Sequence, residues 1–328
     1  MNTRLKRAEL ILIGVLLTAG CSPVTPAPAQ TTVPTRTEAP APVLPTATFT
    51  MISPTETPAP TPTRTLLPPV ETIRNIAYVP DGVNQQVLNL YLPPEGEGPF
   101  PTVLLIHGGG GCMLDLAGLA TQLARQGYAA ASMNFRDFPS YNYPAAVEDA
   151  FCSLGWLHAN AATYQLDTQR FYALGHSMGG TLAAMLAVVD DTAIFMSDCP
   201  HTLPETNRIH GVVTYTGIFD YTSPSMTNAL ISYAGRYLGG TKAAIPEIWS
   251  QASPMTWLDG SEPPFLLIHG EADDNIPPEQ SQAFAAALQA TGVQNELLLI
   301  PEADHFDIIG SQVTLEAALE FLTALVGQ

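Results

Sequence analysis

The sequence predicts an α/β protein with a mostly parallel central sheet of about eight strands and helices on both faces. Apolar runs typical of buried strands recur from about residue 70 onward, and segments with helical patterning separate most of them. This alternation favours crossover connections, which make successive strands parallel. In such sheets the functional side chains lie on loops beyond the carboxyl ends of the strands, so we expect a site there.

The individual elements follow the chain in this order. Two strands, TIRNIAYV and QVLNLYL, are separated by a turn at Asp81-Gly82. Further strands are predicted at TVLLIHG, YAAASMN, RFYALGH, IHGVVTYTG, PFLLIHG and QNELLLIP. Helices are expected at about residues 115–126, 144–160, 178–189, 278–291 and 311–327. A long segment at about 218–262 is predicted to be a cap-like insert that walls a pocket.

Residues 1–20 have the layout of an export signal. Three basic residues precede an apolar run, and small residues follow it. The apolar run is too short to span a bilayer. Cys21 comes directly after the small residues, which resembles a bacterial lipoprotein signal. This resemblance implies lipidation of Cys21 and anchoring on the outer side of a bacterial membrane, and ordinary secretion is the alternative.

Residues 21–69 are predicted to be a disordered tether. From residue 22 to residue 69, 13 positions are Pro, 13 are Thr and four carry a charge, so the segment has too little apolar surface to fold. Proline favours extended polyproline II backbone and stiffens the chain. The tether would hold the folded domain, predicted at 70–328, away from the membrane.

Composition excludes one class of partner. The chain carries 30 acidic and 12 basic residues, a net charge of −18, whereas nucleic-acid binding depends on Lys and Arg. We therefore expect no nucleic-acid partner, and membrane contact only through the N-terminal lipid anchor. With 46% hydrophobic residues, the chain can bury a full core.

The sequence Gly175-His176-Ser177-Met178-Gly179 matches the G-x-S-x-G nucleophile elbow. It stands after a predicted strand and before a predicted helix, as that motif requires. The glycines leave room for a turn so tight that the serine backbone is strained. The alternative is that Ser177 only caps the helix. The strand and helix context favours the nucleophile.

A second glycine-rich segment, LLIHGGGGC at residues 104–112, follows the third predicted strand. Successive glycines let backbone N–H groups face a ligand without obstruction. The segment resembles the HGGG-type motif of lipases and esterases. By position, this resemblance makes the N–H groups of Gly109, Gly110 and Met178 the donors to an oxyanion, and gives His107 a structural role in the loop. A flexible turn is the alternative.

These motifs together make residues 70–328 similar to the alpha/beta-hydrolase superfamily. The greatest resemblance is to bacterial esterases of the hormone-sensitive-lipase and feruloyl-esterase-like groups, although the elbow here is GHSMG where many hormone-sensitive-lipase relatives have GDSAG. The resemblance implies the alpha/beta-hydrolase fold and a Ser-His-Asp triad in the chain order serine, acid, histidine.

The order of the triad restricts the base and the acid. With the acid near residue 273, His305 is the only one of seven histidines that lies downstream, and an ordinary surface histidine is the alternative. Asp273 is favoured as the acid because the segment from His269 to Pro277 resembles the H-G-x-x-D-x-x-V-P pattern of these esterases. Asp274 and Asp220 remain alternatives.

The implied reaction is hydrolysis of a carboxylic ester through an acyl-enzyme, with no metal or organic cofactor. The substrate would be a small-molecule or glycan ester, either short-chain or carbohydrate-linked. The alternatives are a prolyl-oligopeptidase-like serine peptidase and a noncatalytic cell-surface binding module. A peptidase of that kind usually carries a large propeller domain, for which residues 1–69 leave no room.

The remaining expectations concern the pocket and the cysteines. Substrate contacts are predicted for the residues His107, His176, Phe219, Trp249 and Trp257. For an exported protein of this fold, the resemblance places Cys152 and Cys199 near each other, and they are the preferred disulfide pair. No CxxC or HxxxH spacing occurs, so no metal site is expected.

Overall fold

The computed structural model describes residues 68–205 and 208–327. The predicted signal at 1–20, the proposed lipidation site Cys21 and the tether up to residue 67 lie outside the described residues. Within the described part of the chain, no helix is long and apolar enough to cross a membrane.

One eight-stranded sheet organises the described residues, in the spatial order β1-β2-β4-β3-β5-β6-β7-β8. The strands are β1 (Glu71–Ala77), β2 (Val87–Leu92), β3 (Phe100–Ile106), β4 (Ala129–Met133), β5 (Leu166–His176), β6 (Val212–Tyr215), β7 (Phe265–Gly270) and β8 (Asn295–Ile300). Strand β2 pairs antiparallel with β1 and β4, and all other neighbours are parallel. The prediction of a mostly parallel sheet of about eight strands is confirmed.

Helices cover both faces of this sheet. They are α1 (Ala117–Arg125), α2 (Ala145–Ala159), α3 (Ala161–Tyr164), α4 (Met178–Val188), α5 (Asn228–Tyr237), α6 (Pro246–Gln251), α7 (Glu279–Thr291) and α8 (Gln312–Val326). Alternate residues of β3 show the two layers, because Leu104 packs in the core that contains α2 and α4, whereas Leu105 packs in the core that contains α1 and α8. The alternation of side chains along a strand produces two separate cores.

Helix α4 lies at the centre of the larger core. All eleven of its residues are buried, which agrees with a sequence that is apolar or small on every side. Its first residue follows Ser177 directly. The packing of α4 therefore fixes the position of the predicted nucleophile.

The segment between β6 and β7 contains α5, α6 and a short 3-10 helix at Pro254–Trp257. Helix α5 begins after Thr227, whose side chain accepts a hydrogen bond from the backbone N–H of Leu230. One face of α5 is buried through Leu230, Ala234 and Tyr237. This packing holds α5 beside the carboxyl ends of the strands.

A disulfide joins Cys152 of α2 to Cys199 in the loop after α4, with a Cα–Cα distance of 5.5 Å. This is the pair that the sequence resemblance favours. The bond closes a loop with a sequence separation of 47, which contains β5 and α4.

Replacing both cysteines tests the contribution of this bond. Closing a loop of this length lowers the entropy of the unfolded chain, so the double variant Cys152→Ala/Cys199→Ala should lose about 4 kcal/mol of unfolding free energy. Urea unfolding of both proteins measures the difference, and the parent protein in reductant is the control for the loss of the bond alone. A double variant within about 1 kcal/mol of the oxidised parent would contradict the expectation.

Candidate active site

The turn between β5 and α4 places Ser177 in a strained backbone conformation. Its φ is 57° and its ψ is −120°, in a region that non-glycine residues rarely adopt. The Ser177 N–H donates a hydrogen bond of 2.8 Å to the Tyr215 carbonyl oxygen at the end of β6. A Cβ at Gly175 would overlap the Gly179 carbonyl oxygen, and a Cβ at Gly179 would overlap the Ile106 carbonyl oxygen. Only glycine at these two positions permits the turn.

The predicted acid and base form a short hydrogen bond. His305 Nδ1 lies 2.7 Å from Asp273 Oδ2, and both side chains are buried. The other carboxylate oxygen of Asp273 accepts the N–H groups of Asn275 and Ile276 at 2.9 and 2.8 Å. Because an ionised Asp273 has no proton to give, Nδ1 of His305 is the donor. The Nε2 atom of His305 is then left as the proton acceptor.

Asp273 is ionised although it is buried. Burial alone would raise its pKa, but hydrogen bonds from His269, His305 and the Ile276 N–H outweigh burial and hold the pKa of Asp273 well below its usual range. The His269 Nε2 atom lies 3.4 Å from Asp273 Oδ2. The negative charge thus faces the ring that would carry a positive charge during catalysis.

His176 supports the loop that carries His305. Its Nε2 atom lies 2.9 Å from the His305 carbonyl oxygen and donates a proton to it. The loop is also tied to the acid loop, because the Ala272 N–H donates to the Ala303 carbonyl oxygen at 3.0 Å. Burial, followed by the nearby His305, lowers the pKa of His176 to about 4. His176 is therefore neutral near pH 7, and it lines the cavity.

Ser177 and His305 line the same cavity, whose volume is about 740 Å³. Among the hydrogen bonds of the described residues, none joins the Ser177 hydroxyl to His305. Such bonds often shorten only when substrate is bound. Of the alternative acids, Asp274 lines the cavity and is exposed, and the Asp220 carboxylate accepts hydrogen bonds from Thr222. Asp273 is the carboxylate that contacts His305.

The glycine-rich segment after β3 faces Ser177. A Cβ at Gly108 would lie 3.3 Å from Ser177 Cβ, and one at Gly109 would lie 3.8 Å from Met178 Cβ. The Gly109 N–H has no hydrogen-bond acceptor within the described residues. Met178 is the first residue of α4, where N–H groups have no intrahelical acceptor.

The prediction for Gly110 is corrected. Its N–H donates to the Asp137 carboxylate at 2.5 Å, so in this structure it is already paired and is not a donor to an oxyanion. Asp137 is 27 residues away in the chain, and no local pattern around the glycines indicates this contact. Burial raises the pKa of Asp137, although the N–H groups of Gly110 and Phe138 lower it in part.

His107 holds the base of the glycine-rich segment. Its Nδ1 atom donates to the Gly108 carbonyl oxygen at 2.7 Å, and its ring stacks on Phe135 at 4.3 Å. Burial lowers the pKa of His107 to about 4. His107 also lines the cavity.

The predictions for the aromatic pocket residues were wrong. Phe219 and Trp249 are buried in the larger core, where Phe219 stacks on Phe284 at 4.4 Å and the Trp249 indole N–H donates to the Gly240 carbonyl oxygen. Trp257 packs partly against that core and lines a separate surface depression. Apolar residues alone do not distinguish a pocket wall from a core.

Other side chains form the apolar wall. The cavity is lined by Leu116, Phe138, Met178, Ile218, Ala229, Leu230, Tyr233, Ile276, Phe306 and Ile309. Leu230 and Tyr233 lie three residues apart on α5, a helical spacing visible in the sequence. The charged residues of the lining are Asp115 and Asp274, and no Lys or Arg of the described chain lies among them. The described residues contain no cluster of His, Cys, Asp or Glu suited to a metal ion.

A pair of glycine variants tests the packing of the elbow. Gly179→Ala should lower the unfolding free energy by about 3 kcal/mol or more, because its Cβ meets backbone that cannot move aside. Gly118→Ala in α1 is the matched control. No atom lies within 4 Å of its Cβ position, so it should leave stability unchanged or raise it by up to about 1 kcal/mol. Chemical denaturation measures both, and equal stabilities would contradict the steric argument.

Stability should fall as the pH drops from about 6.5 to about 4. His107 and His176 have pKa values of about 4 in the folded protein and ordinarily 6.5, so in this range the unfolded chain binds more protons. The contribution of the two histidines to the unfolding free energy is complete above about pH 6.5. As the pH falls below that value, it declines by up to about 1.4 kcal/mol per pH unit for each histidine. Urea unfolding at several pH values measures the slope. His107→Gln should lower the slope of unfolding free energy against pH by about 1.4 kcal/mol per pH unit. A slope equal to that of the parent would contradict the lowered pKa of His107.

Curated relatives of the chain carry esterase names. Esterase LipQ of Mycobacterium tuberculosis is 27% identical over 218 residues, which cover 64% of this chain and 51% of LipQ. Isoprenylcysteine alpha-carbonyl methylesterase ICME of Arabidopsis thaliana is 26% identical over 247 residues, covering 72% of this chain and 56% of that protein. The chain spans about half the length of the curated relatives that it matches.

Solved structures and a family model agree on the fold. A truncated carbohydrate esterase from gut microbiota superposes with a TM-score of 0.67 at 21% identity, over 79% of this chain and 97% of that chain. Esterase B from Lactobacillus rhamnosis superposes with a TM-score of 0.66 at 25% identity, over 79% and 85% of the two chains. The BD-FAE family model matches residues 88–288, more than half of the sequence. The chain therefore belongs to the BD-FAE family and has the alpha/beta-hydrolase fold.

Proposed function

We propose that this protein is a serine carboxylic-ester hydrolase that uses Ser177, His305 and Asp273 through an acyl-enzyme. One observation carries the proposal: an imidazole oriented by a carboxylate at 2.7 Å lines the same cavity as a serine on a strained elbow. The esterase names of the curated relatives and of Esterase B support ester hydrolysis as the reaction class.

Catalysis begins with attack of the Ser177 hydroxyl oxygen on the ester carbonyl carbon. The hydroxyl proton passes to Nε2 of His305, and the carbonyl electron pair moves to oxygen. When the tetrahedral intermediate collapses, the bond to the alcohol breaks and His305 returns the proton to the departing alkoxide. Water then repeats both steps on the acyl-enzyme and releases the acid. Asp273 stays ionised and stabilises the imidazolium.

The oxyanion would be bound at the N-terminus of α4. Met178 is the first residue of α4, and Gly109 of the glycine-rich segment approaches it closely, so that their N–H groups are the candidate donors. Donors that are fixed before reaction stabilise the negative oxygen without further reorganisation. The strained turn at Ser177 thus presents the nucleophile and one oxyanion donor from adjacent residues.

We propose short-chain or carbohydrate-linked esters as the substrates. A cavity of about 740 Å³ accommodates a small ester. Its mostly apolar wall suits an acyl chain, and the carboxylates of Asp115 and Asp274 can accept hydrogen bonds from the hydroxyl groups of an alcohol or sugar. Because no Lys or Arg of the described chain lines it, neutral substrates are favoured over anionic ones.

We also propose that the protein is exported and anchored through Cys21, with residues 21–69 as a tether. The signal-like layout of residues 1–20 supports this location. Secretion without a lipid is the alternative outcome. Mass spectrometry of the mature N-terminus distinguishes a diacylated Cys21 from an unmodified terminus.

The triad is tested by turnover of p-nitrophenyl esters of increasing acyl length and by labelling with a fluorophosphonate probe. Ser177→Ala should abolish labelling and lower kcat by roughly 10⁴-fold or more, and His305→Ala should have a comparable effect. The same proteins are assayed with acetylated polysaccharides and with aminoacyl amides. Preference for the amides would identify a peptidase instead.

The role of Asp273 as the acid of the triad is tested by comparing substitutions at Asp273 and at its neighbour Asp274. Asp273→Asn should lower kcat by roughly 10⁴-fold, because the amide no longer fixes the His305 tautomer or stabilises its charge. Asp274→Asn is the matched control, since this side chain lines the cavity without contacting His305. On p-nitrophenyl acetate, which has no hydroxyl group for Asp274 to bind, the kcat of this variant should stay within about threefold of the parent value. Full ester turnover by Ser177→Ala, or a reversal of the two aspartate effects, would contradict the mechanism.

A further inference from the structure

The hydroxyl of Tyr233 on α5 lies close to Gly109, in the cavity that also contains Ser177. A Cβ at Gly109 would lie 3.2 Å from the Tyr233 hydroxyl oxygen and 3.8 Å from Met178 Cβ. Tyr233 also lines the cavity together with Ser177. The phenol oxygen thus lies close to Gly109, which in turn lies close to Met178.

The ring of Tyr233 is held in place by two aromatic neighbours. Phe138 meets it edge to face, with centroids 5.7 Å apart, and Tyr237 stacks on it at 6.3 Å with an interplanar angle of 15°. Such pairs fix the orientation of a ring as well as burying it. The direction of the hydroxyl is therefore set by packing before any ligand arrives.

The hydroxyl of Tyr233 is available as a donor. Within the described residues it makes no hydrogen bond, and it opens on the cavity. Burial, together with the negative charge of Asp137, raises the pKa of Tyr233 well above its usual range, so the phenol keeps its proton. A neutral phenol donates one hydrogen bond and bears no charge that would repel an oxyanion.

Because the Gly110 N–H is bound to Asp137, a third donor to the oxyanion would have to come from elsewhere in the cavity. The HGGG-type resemblance makes the Gly110 N–H a donor to the oxyanion, but in the structure this N–H donates to Asp137 instead. Gly109 and Met178 alone then remain from the backbone. The Tyr233 hydroxyl on α5 is close enough to Gly109 to act with these two N–H groups.

We propose that the Tyr233 hydroxyl donates a hydrogen bond to the oxyanion formed at Ser177, beside the N–H groups of Gly109 and Met178. This inference rests on the proposed ester hydrolysis. It makes Tyr233 a catalytic residue supplied by the segment between β6 and β7, and it divides the oxyanion site between that segment and the central sheet.

The test compares Tyr233→Phe with the parent protein on p-nitrophenyl acetate. The variant retains the ring and its packing, so its melting temperature should match that of the parent. Loss of one oxyanion donor should lower kcat by about 10²-fold and leave KM nearly unchanged. Tyr237→Phe is the matched control. It keeps the ring that stacks on Tyr233 and removes only a hydroxyl group that does not line the cavity, so its kcat should stay within about threefold of the parent value.

A trifluoromethyl ketone gives a second readout, because its adduct with Ser177 carries an oxyanion. Its inhibition constant should rise in Tyr233→Phe by about the same factor by which kcat/KM falls. Unchanged kcat and inhibition, or a change confined to KM, would overturn the role of Tyr233. In either of those cases the ester hydrolase would still stand if Ser177→Ala is inactive. Activity in Ser177→Ala would instead refute the proposed function itself.

Discussion

The positive φ of Ser177 depends on main-chain atoms that approach one another closely because the residues at the contact, Gly175 and Gly179, have no side chain. Gly175 and Gly179 allow β5, the turn and α4 to approach β3 so closely that a single methyl group would not fit at either position. A conformation of this kind costs about 1–3 kcal/mol and persists only where the surroundings hold it. Here the fully buried helix α4 and the hydrogen bond from Ser177 to Tyr215 provide that support. The packing of the core therefore maintains the strained turn that places the Ser177 hydroxyl in the cavity.

The same principle extends to the acid and the base. The loops after β7 and β8 are joined through main-chain hydrogen bonds, and His176, next to Ser177, binds the backbone of His305. The residue before the predicted nucleophile therefore positions the residue that would take its proton. Because His176 is neutral near pH 7, it performs this task without adding a second positive charge beside the imidazolium.

Local motifs predicted the sheet, the elbow and the Asp273–His305 pair, because each depends on residues adjacent in the chain or at the ends of neighbouring parallel strands. The individual side chains of the pocket wall were not predicted, although the segment at about 218–262 was expected to contribute to that wall. Trp249 and Tyr233 both occur in apolar helical segments, and only the packing of α5 and α6 determines which faces the cavity. The contact of Gly110 with Asp137 likewise could not be predicted from the sequence, since it joins two loops at the end of the sheet. Long-range side-chain contacts have no periodic signature in a sequence.

The bond between Cys152 and Cys199 encloses the elbow within a covalent ring. Strand β5, Ser177 and helix α4 all belong to the 47-residue separation that it spans. A protease that cuts the chain once inside this ring leaves both fragments attached to each other. A single cut in the loop between α4 and Cys199 would therefore leave the two new chain ends covalently joined through the disulfide, and the fragments could not separate.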